Sequence, residues 1–289
     1  MKDQAEELRI KLKVAAEDKA PKTMAVVSGK GGVGKSNLSL SFSISLASKG
    51  NRVLLFDMDM GMGNLDILMG NTSESSIVDF FAGSITLKDA VMDGPKGLKY
   101  IAGGSGLSHL VGLDVELVDK FIKELTVIFN EYDYVIFDMG AGITDGTLKF
   151  ILSVQEIVVI TTPEPTAMTD AYAMMKHIHL MDTSIPFYVV INRVQSEKEG
   201  QQTFTRLSKV VKSFLDREII CLGAVPDDRV IQQAVRSQIP FILYNEKAPA
   251  SRALKEISNK YTRGQLSQEL KLSNSRHFVS KLKQFLFER

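Results

Sequence analysis

The chain has a single cysteine, Cys221, and almost no net charge. One cysteine cannot build a disulfide framework, an iron–sulfur site or a cysteine-based zinc site within one chain. The 35 Lys and Arg residues are balanced by 34 Asp and Glu residues, so a net charge of +1 provides no general attraction to nucleic acid. Any basic binding surface must therefore be local.

The sequence also lacks long hydrophobic runs. No stretch approaches the roughly 20 apolar residues that a membrane-spanning helix requires. Residues 1–19 are charged throughout and have no apolar segment typical of a signal peptide. We therefore expect a cytoplasmic protein. Hydrophobic residues still make up 44% of the 289 residues, which is enough for a sizeable core.

Short apolar segments alternate with helical patterns along most of the chain. The predicted strands are residues 23–28, 52–56, 134–137, 156–161, 187–192 and 219–225. The predicted helices between them are residues 36–48, 114–129, 169–181 and 201–216. Apolar strands separated by helices are typical of a parallel sheet that is buried on both faces. We therefore predict a doubly wound α/β fold with a mostly parallel sheet and helices on both faces.

A glycine-rich segment at residues 29–36 matches the phosphate-binding pattern G-x-x-x-x-G-K-[ST]. It follows a predicted strand and opens a predicted helix, where backbone N–H groups and the helix N-terminus bind phosphate. Lys35 is predicted to reach the β- and γ-phosphates, and Ser36 is predicted to bind Mg²⁺. The predicted nucleotide contacts in this loop are Gly29, Lys30, Gly31, Gly32, Val33, Gly34, Lys35, Ser36 and Asn37. These residues predict an ATPase that uses ATP/ADP and Mg²⁺.

The loop contains a second, early lysine, Lys30, and in this it resembles the deviant Walker A motif of the MinD/ParA family of ATPases. In that family the early lysine reaches across a dimer interface to the nucleotide of the other subunit. The resemblance implies that Lys30 and Lys35 are both catalytic and that ATP drives formation of a homodimer. Positive charge beside the transferred phosphoryl group stabilises the transition state.

Acidic residues follow two of the predicted strands, where ligands bind in parallel sheets. Asp57 and Asp59 follow one strand, and Asp138 follows another. The resemblance implies that Asp59 is catalytic and orients the attacking water. It also implies that Asp57 supports the Mg²⁺ shell and that Asp138, as the Walker B acid, binds the metal in the nucleotide site.

Two further segments resemble the loops that surround adenine in this family. Asn192 and Arg193 end one predicted strand, while Pro226 and Asp228 follow another. An Asn amide can both donate to and accept from adenine. These residue types are also common in ordinary turns, so that alternative stays open.

The C-terminal residues 274–289 form a basic amphipathic pattern. Phe278, Leu282, Phe285 and Leu286 fall on one helical face, and basic residues lie off it. Such a helix either binds membrane lipid or packs on its own domain. The family resemblance favours the first alternative and implies a peripheral position on the inner face of the cell membrane when ATP is bound.

Residues 3–9 resemble the D-Q-A-x-x-L-R activator motif of flagellar members of the same family. The resemblance implies that Gln4 acts in the site of the SRP-type GTPase FlhF and that components of the flagellar basal body (C-ring) are further partners. We thus expect an activator arm at residues 1–20, an ATPase domain at 21–265 and a membrane helix at 266–289. The implied function is control of the number and placement of flagella.

Three alternatives remain at this stage. A division-site regulator of the MinD type would share the ATPase and the tail but should lack the motif at residues 3–9. A partitioning ATPase would need a basic DNA-binding surface, which the charge balance does not favour. A nucleotide-gated scaffold with negligible turnover would keep the phosphate loop, although Asp59 favours hydrolysis.

Overall fold

The computed structural model describes residues 21–59, 64–71, 75–103, 115–140, 142, 145–268 and 276–287. The predicted activator arm with Gln4 lies outside the described residues. The strands are Lys22–Val27 (β1), Val53–Met58 (β2), Val91–Asp93 (β3), Lys99–Ile101 (β4), Tyr134–Met139 (β5), Glu156–Thr161 (β6), Phe187–Val194 (β7) and Ile220–Pro226 (β8).

These strands form one sheet in the order β3-β4-β2-β5-β1-β6-β7-β8. Every neighbouring pair is parallel except β3 and β4, which are antiparallel at one edge. The prediction of a doubly wound, mostly parallel sheet is confirmed. The short edge strands β3 and β4 were missed because three residues are too few to show a pattern.

Helices connect the parallel strands and cover the sheet. The helices are Lys35–Ala47 (α1), Asn64–Met69 (α2), Ile77–Phe81 (α3), Val115–Phe129 (α4), Asp145–Ser153 (α5), Pro165–Met181 (α6), Glu197–Leu215 (α7), Arg229–Arg236 (α8), Phe241–Tyr244 (α9), Pro249–Gln268 (α10) and Arg276–Phe287 (α11). Pro165 opens α6, where a missing N–H costs nothing, and the Ser196 hydroxyl accepts the Glu199 N–H to cap α7. Helix α10 continues past residue 265, where the sequence had suggested a boundary.

The core consists of two apolar clusters, one on each face of the sheet. Leu54 and Phe56 of β2 belong to one cluster, whereas Val53 and Leu55 belong to the other. This alternation follows from the two-residue period of a strand. Both faces of the sheet are therefore apolar.

Helix α11 packs on its own domain against α4 and α5. Phe278 and Leu282 are completely buried, and Phe285 and Leu286 are half-buried. The Phe278 ring stacks on Phe137 with 5.2 Å between centroids and 13° between planes. The apolar face for which the family resemblance favoured membrane binding is thus covered by protein, and lipid binding would require the helix to leave.

Charges also hold α11 in place. Lys281 Nζ lies 2.8 Å from an Asp182 carboxylate oxygen, and both side chains are largely buried. Burial alone would raise the pKa of Asp182, but the hydrogen bonds from Lys281 and Ser184 outweigh it and lower the pKa to about 2. Among the described helices, none combines the length and apolar character needed to cross a bilayer.

Candidate ATP site

The predicted site residues meet at the carboxyl edge of the central strands. The phosphate loop follows β1, and Asp57 and Asp138 lie in β2 and β5 on the same edge. The two carboxylates belong to directly paired residues of neighbouring parallel strands. Both acids lie inside the last two residues of their strands rather than after them, because the strands run two residues further than the hydrophobic pattern indicated.

The backbone of the loop explains its glycines. Gly32 and Gly34 have φ angles of 77° and 92°, a region that residues with a side chain rarely adopt. Gly29 packs so closely on α6 that a Cβ there would lie 2.2 Å from the carbonyl group of Asp170. These positions leave the first N–H groups of α1, including those of Ser36 and Asn37, at the open end of the loop.

Lys35 and Asp138 form a buried ion pair in the site. The distance from Lys35 Nζ to Asp138 Oδ1 is 2.7 Å, and the side chains are 7% and 0% exposed. Lys35 Nζ also donates to the Ser36 hydroxyl at 3.3 Å. The structure therefore brings together the residue predicted to hold phosphates and two residues predicted to hold Mg²⁺. Phosphate oxygens would have to replace Asp138 as the partner of Lys35.

Ser36 and Asp138 fit a magnesium ion. Asp138 Oδ2 is buried and has no hydrogen-bond partner among the described residues. A buried carboxylate oxygen without a donor is costly, and a cation that accepts oxygen ligands would satisfy it. The Ser36 hydroxyl bonds the same Lys35 ammonium group as Asp138 does. Asp57 is the residue paired with Asp138 on the neighbouring strand.

Asp57 organises the segment that carries Asp59. Its carboxylate accepts the N–H of Asp59 at 3.0 Å and the N–H of Leu65 at 3.4 Å, so it bridges the two sides of residues 60–63. Burial, with a contribution from the nearby charge of Asp138, raises the pKa of Asp57 to about 7. Asp59 is half-buried beside Gly140, and the structure thus places it at the edge of the site.

Lys30 points along the surface of its own subunit. Its ammonium group donates to Glu164 at 2.9 Å and to Thr166 at 3.1 Å, at the start of α6. The hydrogen bond from Lys30 lowers the pKa of Glu164. Glu164 and Thr166 were not predicted as partners of Lys30, because no local sequence pattern links residues so far apart in the chain. The predicted action of Lys30 in trans concerns a second subunit and stays a prediction.

Two of the residues predicted to recognise adenine form hydrogen bonds to the backbone of the phosphate loop. Asn192 Nδ2 donates to the Val33 carbonyl at 2.7 Å, and Arg193 donates to the Gly32 carbonyl at 2.7 Å. Asn192 Oδ1 is buried without a hydrogen-bond partner in the described part of the chain. This free acceptor is compatible with an adenine amino group, but the bracing role is the one that the contacts display.

Pro226 and Asp228 lie at the end of β8 and at the start of α8. The Asp228 carboxylate accepts the N–H of Val230 at 2.9 Å and the N–H of Ala250 at 3.2 Å. It therefore caps α8 and joins it to α10, as ordinary cap residues do. Adenine contact by these two residues remains a prediction.

The glycine-built loop, the buried lysine–aspartate pair and the strand-end acids define the class: a P-loop ATPase. More narrowly, the chain belongs to the MinD/ParA family, because residues 19–262 match the family model described as ParA: NUBPL iron-transfer P-loop NTPase. The lone Cys221 leaves no cysteine pair in this chain for an iron site of that kind.

Curated relatives and solved structures agree with this assignment. The chain is 34% identical to the antiactivator FleN of Pseudomonas aeruginosa, over 82% of this chain and 85% of FleN. It is 37% identical to the flagellum site-determining protein YlxH of Helicobacter pylori, over 75% and 74% of the two chains. The fold matches septum site-determining protein MinD from Pyrococcus horikoshii, complexed with Mg-ADP, with a TM-score of 0.68 at 22% identity over 85% and 97% of the chains.

Proposed function

We propose that the protein is a flagellar switch of the FlhG type (also called YlxH or FleN) that dimerises on ATP and resets by hydrolysis. The main support is the similarity to both FleN and YlxH over most of the chain, together with the D-Q-A-x-x-L-R motif at residues 3–9. In this proposal the ATP-bound state controls the number and placement of flagella.

The site residues have distinct tasks in this proposal. Lys35 leaves Asp138 and binds the phosphates of its own subunit, while Lys30 acts on the nucleotide of the other subunit. Asp59 positions the attacking water. Ser36 and Asp138 would hold Mg²⁺, with Asp57 supporting them, and the ion would neutralise phosphate charge. Asn192 would accept a hydrogen bond from the adenine amino group at Oδ1, which has no hydrogen-bond partner in the described part of the chain.

The tail helix α11 is the membrane element of the proposed switch. It is docked on α4 and α5, and its Phe278 stacks on Phe137, the residue directly before Asp138. Exchange of the Lys35–Asp138 pair for phosphate contacts would therefore act on the strand that carries the docking surface. Two released helices in one dimer would bind lipid more strongly than one.

The activator arm supplies the flagellar output. Residues 1–20 would bind the SRP-type GTPase FlhF, and Gln4 would orient water in its GTP site, as glutamine does in other GTPases. Components of the basal-body C-ring are the proposed structural partners. This arrangement couples the ATP state of one protein to the GTP state of another.

A peptide assay tests this proposal directly. A synthetic peptide of residues 1–20 should accelerate GTP hydrolysis by FlhF, and the Gln4→Ala peptide should not. The Glu6→Ala peptide is the matched control, because position 6 is variable in the motif, and it should remain active. A wild-type peptide that leaves the GTPase rate unchanged would remove the flagellar part of the proposal.

The second candidate is a division-site regulator. The chain is 28% identical to septum site-determining protein MinD of Bacillus subtilis over 91% of its length, which favours this alternative over a partitioning ATPase. A peptide of residues 1–20 that does not stimulate FlhF, combined with ATP-dependent lipid binding by the full chain, would support the division-site function. Nucleic acid has no part in either candidate.

A further inference from the structure

We propose that Glu164 is a positioning residue that holds Lys30 within its own subunit and so sets how readily ATP-loaded subunits dimerise. We call the Lys30–Glu164–Thr166 contact the cis latch. This inference rests on the proposed function, in which Lys30 acts across the dimer interface. A lysine ammonium that is bonded to two acceptors of its own chain must leave them before it can reach a partner's phosphates.

The latch is built on two rigid supports. Glu164 is the residue before α6, flanked by Pro163 and Pro165, whose rings restrict the backbone on either side. Its carboxylate makes no capping hydrogen bond to the helix and instead accepts from Lys30. The prolines restrict the backbone at this position, and the carboxylate contacts Lys30 of the phosphate loop.

The loop side is equally constrained. Gly29 packs directly on the backbone of α6, and the Ser28 hydroxyl donates to the Lys30 carbonyl at 3.1 Å. Arg193, which donates to the Gly32 carbonyl, contributes a second positive charge that lowers the pKa of Glu164. The negative charge of Glu164 thus bonds directly to Lys30 and is also favoured by the charge of Arg193.

The expected size of the effect follows from exposure. Lys30 and Glu164 are 40% and 57% exposed, so the pair shifts an equilibrium by a factor of about 1.5 to 5. A symmetric dimer uses Lys30 twice, and the two factors multiply. Loss of the latch should therefore tighten ATP-dependent dimerisation by about two- to twenty-five-fold.

Analytical ultracentrifugation of the full chain, with Mg²⁺ and a non-hydrolysable ATP analogue, tests the latch. Glu164→Gln should tighten dimerisation by the stated factor, and Thr166→Val should shift it in the same direction by less. The matched control is Glu246→Gln, which removes an ion pair with 2.8 Å between Lys255 Nζ and the Glu246 carboxylate. Lys255 is 40% exposed and Glu246 is 59% exposed, close to the values for Lys30 and Glu164. Dimerisation of this control should equal that of the wild type.

A double-mutant cycle separates the latch from a general charge effect. In a Lys30→Ala background, Glu164→Gln should no longer change dimerisation. An equal effect with and without Lys30, or a Glu164→Gln variant that dimerises no more tightly than Glu246→Gln, would overturn the latch alone. A wild-type chain that stays monomeric with the analogue would overturn the proposed dimer switch and the latch with it.

Discussion

The two faces of β5 differ in how they hold their partners. Phe137 packs against the tail helix through stacked rings, whereas the next residue, Asp138, bonds the lysine of the phosphate loop on the other face. The first contact is apolar and extends over several side chains. The second is a single buried ion pair, and each of its groups is also predicted to bind another partner: phosphate for Lys35 and Mg²⁺ for Asp138.

This difference has a physical consequence for switching. A buried ion pair contributes little net stability, since desolvation offsets its attraction, so Lys35 can exchange one anion for another at small cost. An apolar docking surface has no small ligand that can replace it, and its strength grows with the buried area. The nucleotide face is therefore suited to the exchange of one anion for another at Lys35. The tail face is suited to holding α11 stably on its own domain.

The largest expected effect comes from breaking the ion pair. Lys35→Ala should abolish nucleotide binding and lower the free energy of unfolding by about 3–5 kcal/mol, because Asp138 stays buried without its partner. Fluorescent-nucleotide titration and urea denaturation measure the two effects. Lys35→Ala with Asp138→Asn should recover stability but not binding, and unchanged affinity in the single variant would refute the role of Lys35.

Breaking the apolar contact should release the tail without destroying the ATP site. Phe278→Ala removes a completely buried ring and should weaken docking by about 3–5 kcal/mol. Hydrogen exchange across Arg276–Phe287 should rise, and vesicles should retain the protein without ATP. The half-buried Phe285→Ala is the control with a smaller effect. Unaltered exchange in Phe278→Ala would contradict tail docking.

The nucleotide face should also show a pH dependence in a range, between about pH 4 and 7, where the tail face shows none. The pKa of Asp57 is about 7 in the folded chain and near 4 when unfolded, so only the folded state holds this proton between those values. The unfolding free energy should therefore fall as pH rises from about 4 to 7, by up to about 1.4 kcal/mol per pH unit. Urea denaturation without Mg²⁺ measures this slope, and Asp57→Asn should reduce it. An identical slope in that variant would exclude Asp57 as its source.

The smallest expected effect concerns the charge that supports docking. Asp182→Asn should weaken tail docking by about 1 kcal/mol, since the ion pair with Lys281 is partly exposed to solvent. With a folded pKa of about 2, the pair contributes fully above the ordinary pKa near 4 and is lost as pH falls toward 2. Tail hydrogen exchange at pH 7 is the measurement. The exposed Asp216→Asn, which removes a pair with Lys212, should leave it unchanged.

Local sequence patterns were sufficient to predict most of the parallel strands and the position of the phosphate loop. The strand at 156–161 has the same bounds in the structure, and the phosphate loop joins β1 to α1 as its motif requires. Boundary errors lie at helix starts, since α6 and α7 begin before the predicted residues 169 and 201. They also lie at strand ends, where Asp57 and Asp138 extend their strands because the paired neighbours supply hydrogen bonds that no side-chain pattern reports.

By itself, the sequence determined the chemistry that was available: glycines that allow the loop, lysines and acids at fixed spacing, and an amphipathic tail. Only the tertiary structure decided which partners these groups take. Lys30 pairs with Glu164, Lys35 with Asp138 and Phe278 with Phe137. Each pairing joins residues far apart in the chain, and such contacts follow from packing around the sheet rather than from local propensity.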